Sequence, residues 1–298
     1  MADLIQVFAL VLLAPLAQGM VQRVKAALQG RRGAPVYQPY LVFLKLLRRG
    51  AVWPEGSGPV MRLAPIVTLA ATLVAAAGVP LFAPARSDEL LVVLFALALA
   101  RFALALGALD TGTPFAGLGS SREMTVGALV EPVLLASALP FLVAAGTTAW
   151  PALLGASAHM GALDVVRLAA FGGLFLAALA ETGRLPVDNP DTHLELTMIH
   201  EAQLLEYSGP PLAVVSLAVW VKQLALMAFV ADLAWPWGMG ASPDAVLLTL
   251  AKWTVLALAL GIGESLTAKI RFLRVPAYLG TAFAFSVSAV MLQVVGVR

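Results

Sequence analysis

Residues Glu181–Gly209 read ETGRLPVDNPDTHLELTMIHEAQLLEYSG and lie between two apolar runs, Leu163–Ala180 and Pro211–Ala231. The stretch holds Glu181, Asp188, Asp191, Glu195, Glu201 and Glu206, with Arg184, His193 and His200 among them. Runs of about 20 apolar residues match the hydrocarbon thickness of a bilayer when helical. Acids beside lipid are costly, so a polar loop held between two such runs is expected to have work to do there.

Working outward, the same pattern repeats along the chain. Its 298 residues are 60% hydrophobic and only 12% charged, against about 25% charged for soluble domains, and the mean hydropathy is +0.90. Eight spans are expected, at about Leu4–Met20, Val60–Phe82, Glu89–Leu109, Thr125–Ala149, Leu163–Ala180, Pro211–Ala231, Asp244–Gly261 and Pro276–Val295. The long, continuous, Leu- and Ala-rich runs favour helices over strands. The expected fold is therefore all-α: a polytopic membrane protein forming a single helical domain over 1–298, with two structured loops at about 21–59 and 181–210. The first run carries Asp3 instead of a basic leader, and a basic tract follows it, so it reads as a retained span. Without cysteine there is no disulfide, thiolate ligand or iron–sulfur ligation in this chain, so any redox centre is expected in a partner.

Loop charge predicts the orientation. The first loop holds Arg23, Lys25, Arg31, Arg32, Lys45, Arg48 and Arg49; the third holds Arg122, the fifth Arg184, and the seventh Lys269, Arg271 and Arg274. The even loops offer Arg86, with Arg167 at a span edge. Odd loops are thus expected in the cytoplasm and both termini outside. Trp150, Trp235 and Trp237 would then lie in an outer aromatic belt. In the first loop, Gly30, Gly33 and Pro35 break the chain before LVFLKLLRRG, which reads as a short amphipathic helix. Its bases, with Arg31 and Arg32, suit lipid phosphates or a docked cytoplasmic protein, and the two readings are compatible.

In the fifth loop, Thr192 and Glu195 form a capping-box pattern and predict a helix over His193–Leu205, with Glu195 and Glu206 about three turns apart on it. His200-Glu201 opens like a zinc motif, but Leu204 stands where the second histidine belongs, so no metal site is expected. Charges also fall inside spans. Asp232 and Lys252 lie near span ends, where interfacial anchoring suffices. Glu131 and Lys222 lie deeper. Glu123, Glu131, Glu181, Asp188, Glu195 and Glu206, with Glu201, fall towards one membrane half and suggest a proton path; the alternative is mutual pairing with Arg101, Arg184 or Lys222.

Glu181-Thr182-Gly183-Arg184, Pro186, Asp188, Glu195-Leu196 and Glu206-Tyr207-Ser208-Gly209 resemble the signature loop of the complex I subunit 1 family. Gln29-Gly30-Arg31, Gly33, Pro35, Gln38-Pro39 and Lys45-Leu46 match its first loop. Gly183 and Val187 depart from the Asn and Phe usual in complex I. The segment before Glu206 is about three residues longer, with TMIHEAQL inside it. That version is similar to the membrane anchor subunit of group 4 membrane-bound [NiFe] hydrogenases, of the formate hydrogenlyase subunit 4 and hydrogenase-4 type. The resemblance implies a non-redox anchor and proton-coupling subunit in a bacterial or archaeal cytoplasmic membrane. Expected partners are a [NiFe] hydrogenase-like large subunit, a small iron–sulfur subunit, a ferredoxin-like subunit and antiporter-like membrane subunits, with the [NiFe] and iron–sulfur centres in those chains; no nucleic acid is expected. Arg184, His193, His200 and Tyr207 would position the loop, and Arg31, Arg32, Lys45, Arg48 and Arg49 would receive the partner. The alternative is the quinone-site subunit of NADH:quinone oxidoreductase. A stand-alone transporter and a purely structural anchor are further rivals.

Overall fold

The computed structural model describes residues 2–80, 90–160, 164–189, 198–237 and 242–296. Every regular element among them is helical: α1 Ala2–Leu28, α2 Gln38–Leu47, α3 Pro59–Gly78, α4 Leu90–Leu109, α5 Pro114–Ala145, α6 Trp150–His159, α7 Val165–Glu181, α8 His200–Leu204, α9 Gly209–Ala234, α10 Pro243–Leu266 and α11 Val275–Val295. Seven helices of the described residues (α1, α3, α4, α5, α9, α10 and α11) are long and apolar enough to cross a membrane. The eighth expected span is α7, whose 17 residues reach about 26 Å, at the lower edge of what a hydrocarbon core requires.

Local chemistry sets the helix ends. Prolines open α3, α5, α9, α10 and α11 at the first or second position, where the missing N–H costs nothing. Asp164 accepts a hydrogen bond from Val166 N at 2.8 Å and starts α7. Asp110, just past the end of α4, accepts from Met61 N at 2.9 Å and so caps α3. Helix α1 closes on Gly30 (φ +68°), with Arg31 N donating to Ala26 O at 2.8 Å, the glycine-terminated turn that satisfies the last carbonyls.

Helix α3 runs along α4, α4 packs on α5, and α11 lies against α7 and α5. Helix α9 is the most enclosed of the spans, touching α1, α3, α7 and α10. The loops gather the basic segments at one end of the bundle. Val52 N donates to Ser208 Oγ at 2.8 Å, and Ile270 N donates to Pro186 O at 2.9 Å. These bonds join the first, fifth and seventh loops.

Several boundaries differ from the sequence reading. Helix α5 begins at Pro114, not Thr125, so Arg122 and Glu123 are helical. Its first turns carry glycine and serine because they press on neighbours: Ser120 Oγ donates to Ala105 O at 3.1 Å, and Arg122 Nη1 donates to Met198 O at 2.8 Å. Helix α6 occupies what was expected to be an outer loop. It carries Trp150 into the interior, fully buried and edge-on to Phe229 with ring centroids 5.5 Å apart, instead of leaving it in an interfacial belt. Asp232 and Lys252 are also buried, as an ion pair 3.9 Å apart with Lys252 Nζ donating to Trp235 O, so they pair inside the bundle instead of anchoring at the surface. Finally, Met198 and Ile199 are not helical, which excludes one continuous helix over His193–Leu205; α8 starts only at His200. The three-turn relation of Glu195 to Glu206 therefore falls away. Asp191, Thr192, His193 and Glu195, and with them the capping box, lie outside the described residues, as does Arg86.

Candidate functional site

Two buried charge clusters lie beneath the joined loops. The first centres on Arg101 of α4, which is 6% exposed. Its Nη1 lies 2.6 Å from Glu131 Oε1 and its Nε 3.6 Å from Glu123 Oε1, both on α5. Its Nη2 meets Glu181 Oε2 at the end of α7. Lys222 Nζ of α9 stands 3.5 Å from the other oxygen of Glu181. The guanidinium can lie flat here because Gly127 faces it: a Cβ at that position would collide with Arg101 Nη1 and fall 2.8 Å from its Cδ. Two bases thus face three acids drawn from four helices. Desolvated charges of this kind persist only when paired, and removing one partner strands the rest. Glu131 is the one member whose carboxylate reaches the outside, with its side chain 47% exposed. An apolar cavity of about 340 Å3 between α4 and α5 ends on Arg101 and Glu131.

The second cluster is delivered by the turn that ends α7. Gly183 takes φ +60°, and Arg184 N donates to Leu179 O at 2.9 Å, closing the helix and turning the arginine inward. Arg184 Nη1 donates to Glu264 Oε1 of α10 at 3.1 Å, while Nη2 donates to Gln18 of α1 and Gln223 of α9. Lys25 of α1 holds the second oxygen of Glu264 at 2.7 Å. Lys222 and Gln223, adjacent on α9, therefore face one cluster each.

Asp188 organises the rest of the loop. Its Oδ2 accepts from His200 N at 3.0 Å, providing a start for α8, and its Oδ1 lies 2.5 Å from Lys269 Nζ. Tyr207 is buried and donates its hydroxyl to Met61 O at 3.2 Å; burial, and secondarily the Asp110 charge, push its phenol well above the ordinary range. Glu201 and Glu206 are half-buried at the loop's edge. Among the described residues the Glu206 side chain joins neither cluster. Arg31, Arg32, Lys45, Arg48 and Arg49 are exposed at the same end of the bundle. Of the residues expected on a proton path, Glu123, Glu131 and Glu181 thus converge, Asp188 forms a separate node, and Glu195 lies outside the described residues.

Sequence reasoning did not assign Lys25, Gln18, Gln223 or Glu264 to a site. The available signal was that Lys25, Arg184 and Glu264 follow or close three different spans at the same membrane side, where opposite charges can meet.

The chain matches the NADH dehydrogenase family over residues 2–296. It is 34% identical over 280 residues to hydrogenase-4 component C of Escherichia coli, covering 91% of this chain and 88% of that protein. To formate hydrogenlyase subunit 4 of the same organism it is 32% identical, covering 95% of both chains. To an NADH-quinone oxidoreductase subunit of Caulobacter vibrioides it is 26% identical, covering 84% of this chain and 76% of that protein. The fold superposes on a chain of the membrane-bound sulfane sulfur reductase, an archaeal respiratory membrane complex, with a TM-score of 0.85, 18% identity and 98% of each chain covered. The chain belongs to the NADH dehydrogenase family, that of complex I subunit 1, and is a multi-pass, complex I-like membrane subunit.

Proposed function

We propose that this subunit anchors a cytoplasmic [NiFe] hydrogenase and its iron–sulfur arm to a membrane arm and couples their redox turnover to proton movement. The observation that carries the reading is the Arg101 cluster, where three carboxylates and two bases from α4, α5, α7 and α9 meet at the root of the loop. Four of these five ionisable groups are buried, and charges in a low-dielectric interior respond strongly to any shift of one of them. Glu181 belongs at once to α7 and to the turn that carries Arg184, so motion of the loop changes the spacing of its charges. The relatives' names support the hydrogenase branch: the two E. coli proteins at 34% and 32% identity are hydrogenase-4 and formate hydrogenlyase components.

In this reading the exposed bases Arg31, Arg32, Lys45, Arg48 and Arg49 and the acids of the fifth loop form the face that receives the large and small hydrogenase subunits and a ferredoxin-like subunit. Antiporter-like subunits would flank the bundle within the bilayer. The first and fifth loops would face the cytoplasm and both termini the outside. The test is to purify the complex through a tag on this chain, identify its companions by mass spectrometry and measure metals. Nickel with a hydrogenase-like large subunit is the expected result; flavin and NADH-oxidising subunits without nickel would refute it. Within the purified complex, Glu181→Gln should lower proton-coupled turnover while leaving assembly intact.

A quinone site is the second reading. The 340 Å3 apolar cavity ending on Arg101 and Glu131 offers an apolar wall with a polar end. Cross-linking of a quinone photoprobe to α4 or α5 would favour it.

A further inference from the structure

Beside the Arg101 cluster lies a second, much smaller cavity of about 20 Å3, reached by His200, Gln203, Arg101, Glu123, Lys222 and Thr72. Two of these side chains have polar atoms that nothing satisfies. Gln203 is fully buried, and both its Oε1 and its Nε2 lack a hydrogen-bond partner. His200 Nε2 is likewise buried without one. Buried amide and imidazole groups are normally hydrogen-bonded, and orphans in a native interior call for an explanation. The cavity is large enough for one water molecule, and a buried water typically makes about three hydrogen bonds. Here the amide of Gln203 offers both a donor and an acceptor, the imidazole one more site, and the Glu123 carboxylate and Lys222 ammonium border the same space.

His200 also has a second attachment. Its backbone N–H is held by Asp188, which pairs with Lys269 in the seventh loop. The residue therefore belongs to the loop by its main chain and borders the charge cluster by its ring. We infer that the cavity between His200 and Gln203 is a water site and that His200 relays protons through it between the fifth loop and the Arg101 cluster. This deepens the coupling reading above and rests on it. In the relay, imidazolium Nε2–H gives its proton to the water while the water gives one to the Glu123 carboxylate. The ring is left neutral with its Nδ1–H in place and a bare Nε2; tautomerisation returns that hydrogen to Nε2, and the freed Nδ1 takes the next proton from the loop side. Gln203 does not titrate; it is a positioning residue that fixes the water. The charged groups facing the site are Arg101 from α4, Glu123 from α5 and Lys222 from α9, with Asp188 at the main chain of His200.

The test uses the assembled complex. A water-resolving cryo-electron microscopy map should show density between His200 and Gln203 in the wild type and none in Gln203→Leu. In membrane vesicles, His200→Gln and Gln203→Leu should both slow coupled proton uptake about a hundredfold, the lower end of what a positioned proton-transfer group contributes. A map that resolves other buried waters but none here overturns the water site. Wild-type uptake in both variants, with loss in Glu181→Gln, overturns the relay and leaves the coupling reading standing. Wild-type uptake in all three overturns both. Should His200→Gln fail to assemble, Gln203→Leu carries the test alone, since it removes no charge.

Discussion

Arg101→Leu is the sharpest perturbation of the charge cluster. The guanidinium meets Glu181, Glu131 and Glu123, and their burial differs. The Glu131 side chain is 47% exposed and can turn outward, so its loss of partner costs little. The Glu181 side chain is fully buried and cannot. Breaking a buried pair by removing one member typically costs about 3–5 kcal/mol, because the remaining charge stays desolvated. That magnitude is expected for Arg101→Leu, dominated by Glu181, which would keep only Lys222 Nζ at 3.5 Å beside it. In Arg101→Leu/Glu181→Leu the formal charge of the cluster returns to its original value, with Lys222 and Glu123 still bordering one space. Apolar replacement of a whole buried pair is often neutral, so the double variant should recover to within about 2 kcal/mol of wild type. The two sites should then show a coupling energy of at least about 2 kcal/mol, well above the roughly 0.3–0.5 kcal/mol scatter of independent sites. Unfolding by SDS titration in mixed micelles, followed by circular dichroism, measures all four proteins. Additive single effects, or an Arg101→Leu variant within about 1 kcal/mol of wild type, would refute the claim that these residues act as one electrostatic unit.

Two further outcomes follow from the same geometry. Gly127→Ala drives a methyl into Arg101 Nη1 and to 2.8 Å from its Cδ, so it should destabilise by about 1–3 kcal/mol. Gly280→Ala, with no atom within 4 Å, should gain up to about 1 kcal/mol from lower chain entropy; equal effects of the two in the same titration would show that the close approach is unimportant. Tyr207 keeps its phenolic proton when folded, because its pKa is raised by burial and then by Asp110. Its contribution is fully present below the unfolded value of about 10 and is lost as pH rises above it, by about 1.4 kcal/mol per pH unit. Tyr207→Phe should lose that slope above about pH 10, and identical slopes in the two proteins would rule it out.

The spans were legible because hydrocarbon thickness imposes a length on apolar runs, and the first-loop helix because Gly30 and Pro35 bracket its approach. What escaped the sequence depended on tertiary partners. Residues 117–123, GLGSSRE, look like a loop in isolation; they are helical because Ser120 bonds α4, Arg122 holds the Met198 carbonyl and Glu123 meets Arg101. Helix α8 takes its start from Asp188, not from the local Thr192–Glu195 pattern. Arg101, Arg184 and Lys222 could be named as counter-charges from the chain alone. That Glu264 is divided between Arg184 and Lys25 could not, because it requires α1, α7 and α10 to end at one place.

The bond from His200 N to Asp188 has a consequence for how such chains diversify. It ties Asp188 to the start of α8, so the frame on either side of residues 189–199 is held by a bond that does not depend on how many residues stand between. Adding about three residues to a loop of about eleven raises its closure cost by only about 0.2 kcal/mol. Under the docking role proposed above, the sequence between these two anchors can be rewritten to suit a different docked protein while Asp188 and α8 keep their bond. On that proposal, a lineage could change its redox companion here without having to refold its membrane half.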